Sequence, residues 1–115
     1  AVWAPRASAL VLGLIQPNDA NGQPRRTAQY DLGLAIANMS VQATALNLVT
    51  HQMGGFDREK LVGALSIPDD LKPFILVAIG KQATADSLEE ELANRERAPR
   101  TRMELADIVL SGLPN

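Results

Sequence analysis

The chain carries one histidine, His51, and no cysteine, which narrows the chemistry its side chains could perform. Nucleophilic catalysis needs a hydroxyl or thiol activated by a neighbouring base that a third group orients. No Ser, His and acid constellation with that context is present. A single imidazole without companion Cys, Asp or Glu ligands makes a poor metal site, and a lone histidine beside apolar residues ordinarily packs and hydrogen-bonds. Neither a Walker nor a Rossmann glycine pattern occurs. Chemistry in this chain would therefore be that of a bound cofactor, with the protein supplying position and electrostatics. Catalytic side chains and metal ligands are both assigned as none.

Two groups of residues could serve such a cofactor. Met53, Gly54 and Gly55 form one: adjacent glycines let backbone N–H groups approach a planar ligand, although glycine pairs more often mark turns. Arg95, Arg97, Arg100 and Arg102 in RERAPRTR form the other. Guanidinium forks match phosphate oxygens in bidentate geometry, making this a candidate phosphate clamp. The competing reading is a solvated basic segment pairing with nearby glutamates.

The elements that must position these residues follow from hydropathy patterning. Ala9–Ile15 (ALVLGLI) is a continuous apolar run of strand length and reads as a strand buried on both faces. Residues 17–26, PNDANGQPRR, stack turn formers and predict an exposed loop, with Thr27 as the N-cap of a helix beyond it. From 27 to 49 the residues are helix formers without proline, and 32–56 contain no Asp, Glu, Lys or Arg. Asn38, Ser40, Gln42, Thr44 and Asn47 interrupt that stretch too often for a membrane span. Gly33, Ala37, Ser40 and Thr44 recur at helical spacing and offer a flat face, either an internal packing seam or a dimer seam. Roughly 23 helical residues would span about 34 Å, against a radius of gyration of about 13 Å for a compact chain of this length. Something outside the chain should cover such a helix.

Past this helix, residues 50–57 (THQMGGFD) carry adjacent glycines, where the backbone turns sharply or approaches something closely, and Asp57 caps a short helix reaching about Leu65. Residues 67–73 read as a proline-bounded loop, 74–79 (FILVAI) as a second apolar strand closed by Gly80, and 85–94 as an acidic amphipathic helix with Glu89, Glu90 and Glu91 solvated. The stretch 103–110 (MELADIVL) is ambiguous between strand and helix. Strands flanked by helices predict a layered sheet. No repeat or linker divides the chain, so residues 1–115 read as a single domain.

Composition excludes several classes of partner. With 46% hydrophobic and 21% charged residues the chain is globular rather than disordered. A net charge of −2 gives no basic field for nucleic acid or an anionic membrane. The lack of cysteine fits a reducing cytoplasm. The first residues carry neither a methionine nor a basic stretch leading into an apolar core, so no signal peptide is read.

The segments YDLGLAIANMSVQATALNL, THQMGGFD, IPDDLKPFILVAIG and NRERAPR resemble, in order and spacing, the second half of the FMN-dependent nitroreductase family. The resemblance spans nearly the whole chain. It implies an α+β fold, a layered sheet with helices, whose intertwined homodimer holds one FMN at each subunit junction and carries the long apolar helix at the dimer interface. Met53, Gly54 and Gly55 then fall where the family's backbone lies near the flavin ring and its hydride-accepting N5 edge. Some members have glutamate at the position of Gly54, and that side chain's contacts do not transfer. Arg95 and Arg97 match the basic pair that members use on the FMN phosphate, whereas Arg100 and Arg102 have no counterpart. The family's opening Arg- and Ser-bearing segment and its Pro, Asn and Gln loop near the flavin are not in this sequence, so a full site implies a contribution from that half or from a partner. The implied activity passes hydride from NAD(P)H through FMN to a small electron-poor acceptor such as a nitroaromatic or quinone. The alternative is a non-catalytic fragment or binding module of the same fold, lacking flavin.

Overall fold

A computed structural model describes residues 3–112; the outermost ends of the 1–115 domain read from the sequence, residues 1, 2 and 113–115, lie outside it. The chain divides into two compact units, Ala1–Gln82 and Ala83–Asn115. The first contains strands β1 (Ala9–Ile15), β2 (Val49–Met53) and β3 (Lys72–Gly80), with helices α1 (Ala28–Ala45) and α2 (Arg58–Leu65). The second contains α3 (Glu90–Arg97) and α4 (Leu105–Ile108). This is an α+β fold with an antiparallel sheet. None of its described helices is long and apolar enough to cross a membrane.

The sheet has 3 strands in the order β1-β3-β2, and β3 runs antiparallel to both neighbours. β1 and β2 are therefore parallel to each other, about 10 Å apart across β3, and α1 is the connection between them. The centre of the sheet lies on β3, where Val77 is 0% and Ala78 4% exposed. β1 has the bounds its apolar run predicts but not the burial. It pairs on one side only, and along it Gly13 alone is buried. A run of leucines and valines states that a strand is apolar, not which neighbours flank it.

Two strand boundaries also shift. β3 begins at Lys72 rather than Phe74, taking in Pro73, which the register accommodates at an irregularity: Gly13 faces Ile75 and Leu14 faces Pro73, leaving Phe74 without a partner. A bulge is where a residue lacking an N–H can sit in a ladder. β2 is a strand that the sequence reading assigned partly to helix and partly to a turn. Its residues alternate: Thr50 and Gln52 share the face under α1, and Val49, His51 and Met53 take the other.

α1 is shorter than expected, 18 residues ending at Ala45, or about 27 Å. Asn47 stops it by entering the left-handed region at φ 56. Its N–H donates to the Thr44 carbonyl at 3.0 Å and that of Leu48 to Ala43 at 2.9 Å, the paired bonds of a left-handed helix cap. At the other end Thr27 holds the N-cap position without making a side-chain cap bond; its hydroxyl donates to Asp31 at 3.0 Å. The face on the sheet carries Leu32, Ile36, Ser40 and Ala43, of which Ile36 and Ala43 are buried. The Thr50 hydroxyl donates to that of Ser40 at 3.2 Å, so Ser40 belongs to internal packing. Gly33, Ala37 and Thr44 remain exposed. So does an apolar stripe of Tyr30 (68%), Leu34 (48%) and Val41 (71%) on the outer side. In the described chain the helix thus has one face covered by the sheet and a second apolar stripe left uncovered.

α2 starts where Asp57 predicts: the carboxylate accepts the Lys60 N–H at 3.0 Å, an arrangement worth about 1 kcal/mol. In the second unit the expected helix over 85–94 is split. Ala85–Ser87 form one turn of 3-10 helix, Leu88 is extended, and α3 begins only at Glu90. Asp86 and Ser87 favour turns over helix interior, while Glu90 and Glu91 in the first turn of α3 and Arg95 and Arg97 in the last suit its dipole. The ambiguous stretch 103–110 contains the four residues of α4, and Met103, Leu105, Ile108 and Leu110 are all exposed.

Candidate functional site

β2 delivers Met53, paired with Leu76 of β3, to the end of the sheet, and the chain then leaves through Gly54 and Gly55 into α2. Two physical reasons usually require glycine: a left-handed backbone, or a neighbour too close for a β-carbon. Neither operates here. The positive-φ glycines among the described residues are Gly22 and Gly112, and a β-carbon built on Gly54 or Gly55 meets no atom of the chain within 4 Å. The sequence predicts a sharp turn or a close approach at this pair; no atom of this chain crowds it and neither glycine has a positive φ. The pair instead forms an open backbone surface.

Two residues just C-terminal to the pair hold this surface in place. The Arg58 guanidinium donates to the Gly54 carbonyl at 3.2 Å and lies over the Phe56 ring, 4.8 Å from its centroid. A trans peptide is planar, with its C=O and the next N–H pointing in opposite directions. Fixing the Gly54 carbonyl toward Arg58 therefore aims the Gly55 N–H away from it, where no acceptor among the described residues receives it. Sequence reading missed Arg58, whose only signal is its position four residues after Gly54.

Because β1 and β2 are parallel, their final residues lie at the same end of the sheet, where α1 also begins. A cleft of about 420 Å³ opens there, with Gln16, Arg25, Thr27 and Asp31 over Leu14 and Leu32. The loop 17–26 that borders it is tightly built: the Asp19 carboxylate accepts the N–H groups of Asn21 and Gln23, both at 2.8 Å. Nothing in composition or spacing distinguished this cleft from an ordinary surface loop. His51 lies on β2 and packs edge-on against Trp3, with ring centroids 4.6 Å apart and planes at 78°. Among the described residues no group of three His, Asp or Glu side chains is placed to hold a metal.

The arginines belong to the second unit. Arg97 pairs with Asp86, the two side chains being 50% and 80% exposed; its partner is that aspartate rather than any of Glu89, Glu90 and Glu91. Arg95 and Arg97 both sit in the last turn of α3, and residues two apart on a helix do not share a face. Arg100 and Arg102 lie beyond the helix, and Arg102 donates to the Thr101 carbonyl at 2.8 Å. The structure thus presents Met53, Gly54 and Gly55 as one contiguous surface, and Arg95 and Arg97 as separate cations on a short helix.

The chain is similar to several known proteins. It is 35% identical, over 96% of its own length and 74% of the other's, to an uncharacterized 15.4 kDa protein in the ask 5′ region of Mycolicibacterium smegmatis. Its fold superposes with a TM-score of 0.86 and 34% identity on a solved structure described as an oxidoreductase containing FMN, covering 96% of this chain and 58% of that one. A nitroreductase family protein of Clostridium difficile shares the fold at a TM-score of 0.64 and 22% identity, over 90% of this chain and again 58% of the other. The chain thus spans somewhat over half the length of these solved relatives. The sequence profile of the nitroreductase family matches residues 3–81, which takes in the sheet, α1 and the glycine surface and stops short of the arginines. On that match and those relatives, this chain belongs to the nitroreductase family.

Proposed function

We propose that the chain contributes the ring-facing part of a flavin site in an FMN-dependent oxidoreductase. The observation that carries this reading is the open surface at Gly54 and Gly55, with a Gly55 N–H that no group among the described residues accepts. A flat ligand needs a wall without side chains, and an electron-poor ring needs a donor at its acceptor edge. Met53, at the end of β2, would border that wall. FMN, when bound, would supply hydride transfer between NAD(P)H and a small electron-poor acceptor such as a nitroaromatic or quinone. The protein's residues would contribute position and one directed hydrogen bond, with no side-chain nucleophile. The test is direct: protein purified from cells should show the visible absorbance of flavin, or acquire it on titration with FMN and quench its fluorescence. A colourless protein indifferent to FMN would overturn this reading in favour of a non-catalytic module of the same fold.

The family resemblance implies that Arg95 and Arg97 would serve the FMN phosphate. Because the two diverge on α3, they would act as separate cations rather than as one fork, with Arg97 exchanging its exposed partner Asp86 for a dianion. Charge-assisted bonds of this kind are worth roughly 1.5 to 3 kcal/mol. Arg97→Ala should therefore weaken FMN binding by about ten- to a hundredfold. The same change should scarcely alter the melting temperature, since exposed ion pairs contribute about 0 to 1 kcal/mol. Fluorescence titration beside a thermal melt checks both, and unchanged affinity would remove Arg97 from the site.

The uncovered stripe of Tyr30, Leu34 and Val41 with Ala37 supports a homodimer built on the outer face of α1. Val41→Asp should shift sedimentation from dimer to monomer, because a carboxylate buried there without a partner costs far more than the valine's contacts return. A parent protein that sediments as a folded monomer at high concentration would exclude this arrangement.

A further inference from the structure

We propose that Arg58 is a positioning residue for the flavin surface, an inference that rests on the proposed flavin site. Arg58 occupies the first position of α2, where the helix dipole presents its positive end and a cation is disfavoured. A residue that opposes its local preference is best explained by a contact elsewhere. That contact is double. The guanidinium donates to the Gly54 carbonyl at 3.2 Å and lies over the face of Phe56 at 4.8 Å, so one planar group ties both ends of the segment 54–56 to the start of α2. Asp57 fixes the same junction from the other side by accepting the Lys60 N–H. The glycines carry no β-carbon and the space where one would stand is open, so side-chain packing does not restrain their rotation. With the carbonyl held, the Gly54–Gly55 peptide keeps one orientation and the Gly55 N–H stays aimed at the open side.

Removing the tether should act on the site and not on the core. Arg58→Ala should raise backbone mobility at Gly54 and Gly55 in 15N relaxation, weaken FMN binding by about tenfold, and shift the reduction potential of the bound flavin, because an N–H donor bonds differently to an oxidised ring whose N5 accepts and to a reduced ring whose N5 carries a hydrogen. Arg58→Lys, which keeps a donor within reach of the carbonyl, should recover most of the affinity, and the melting temperature should be nearly the same in all three proteins. Unchanged relaxation at the glycines in Arg58→Ala would overturn the tether itself. A loosened segment with parental affinity and potential would overturn its role in the site. A parent protein that fails to bind FMN would instead defeat the flavin reading and with it this assignment, an outcome distinguished from the others by the parent's own titration.

Discussion

Replacing Gly13 with valine should remove a large part of the stability of the first unit, measurable as a fall in the midpoint of urea unfolding with little change in slope. The reason is local and steric. A β-carbon built on Gly13 lies 2.7 Å from Ile75 Cγ2 and 3.2 and 3.3 Å from the two terminal carbons of Leu32. Gly13 is thus the point where α1 comes down onto the sheet, with Ile75 its partner across the ladder. Ile75 cannot swing away easily, since a β-branched side chain is restricted at χ1. Leu32 is carried on the helix and moves only if α1 lifts. Overpacking of this kind costs about 1 to 3 kcal/mol and sometimes more, against a total stability of about 5 to 15 kcal/mol for an ordinary domain. A Gly13→Val protein with the parental unfolding midpoint would show that the helix does not rest on the sheet at this point.

The contrast with Gly54 and Gly55 separates two uses of glycine that look alike in sequence. At Gly13 the missing side chain is needed by the fold; at the pair it is not needed by anything in the described chain. Gly54→Ala should accordingly leave stability unchanged, or raise it by about 0.4 to 1 kcal/mol through reduced freedom of the unfolded chain.

These positions also mark how far the sequence could be read. The bounds of β1, the cap at Asp57 and the end of β3 at Gly80 were legible because each depends on residues adjacent in the chain: an apolar run, an acceptor three residues before a donor, a glycine closing a strand. β2 was not, because the polar Thr50 and Gln52 suit a strand only once α1 and the Ser40 hydroxyl lie above them. The early end of α1 turned on a single Asn47 in the left-handed region, a choice that helix propensity over a long window averages away. A lone glycine within an apolar strand does signal close approach, so Gly13 was within reach of sequence reasoning and was passed over for the more conspicuous pair. Within the site, resemblance drew attention to Met53, Gly54 and Gly55, but neither their open face nor the hold of Arg58 on the Gly54 carbonyl has any expression in residue spacing. The arginines show the opposite limit. Four of them in eight residues suggest a clamp, yet two positions on one short helix diverge in space, and the geometry within the unit pairs Arg97 with Asp86.

The largest functional effect should come from Gly55→Val. The fold gives no reason for it to harm the protein: Gly55 has no neighbour within 4 Å of a built β-carbon, and its φ is not among the positive ones that a side chain would strain. The melting temperature should stay at the parental value or rise slightly. Flavin is a different matter, because under the proposed function the space beside Gly55 belongs to the ring or to its hydride donor. Valine would place three carbons there and shield the one N–H that the Arg58 tether directs outward. Loss of both the close approach and the directed hydrogen bond should cost binding at least about a hundredfold, or near 2.8 kcal/mol. Purified Gly55→Val should therefore be colourless, fail to quench FMN fluorescence and oxidise no NAD(P)H, while melting like its parent. Gly55→Ala should fall between the two, since one carbon intrudes less and leaves the N–H accessible. Normal flavin content and turnover in Gly55→Val would place the ring elsewhere, whatever the melting temperature did; loss of flavin together with a collapse in stability would show that the glycine serves the fold after all.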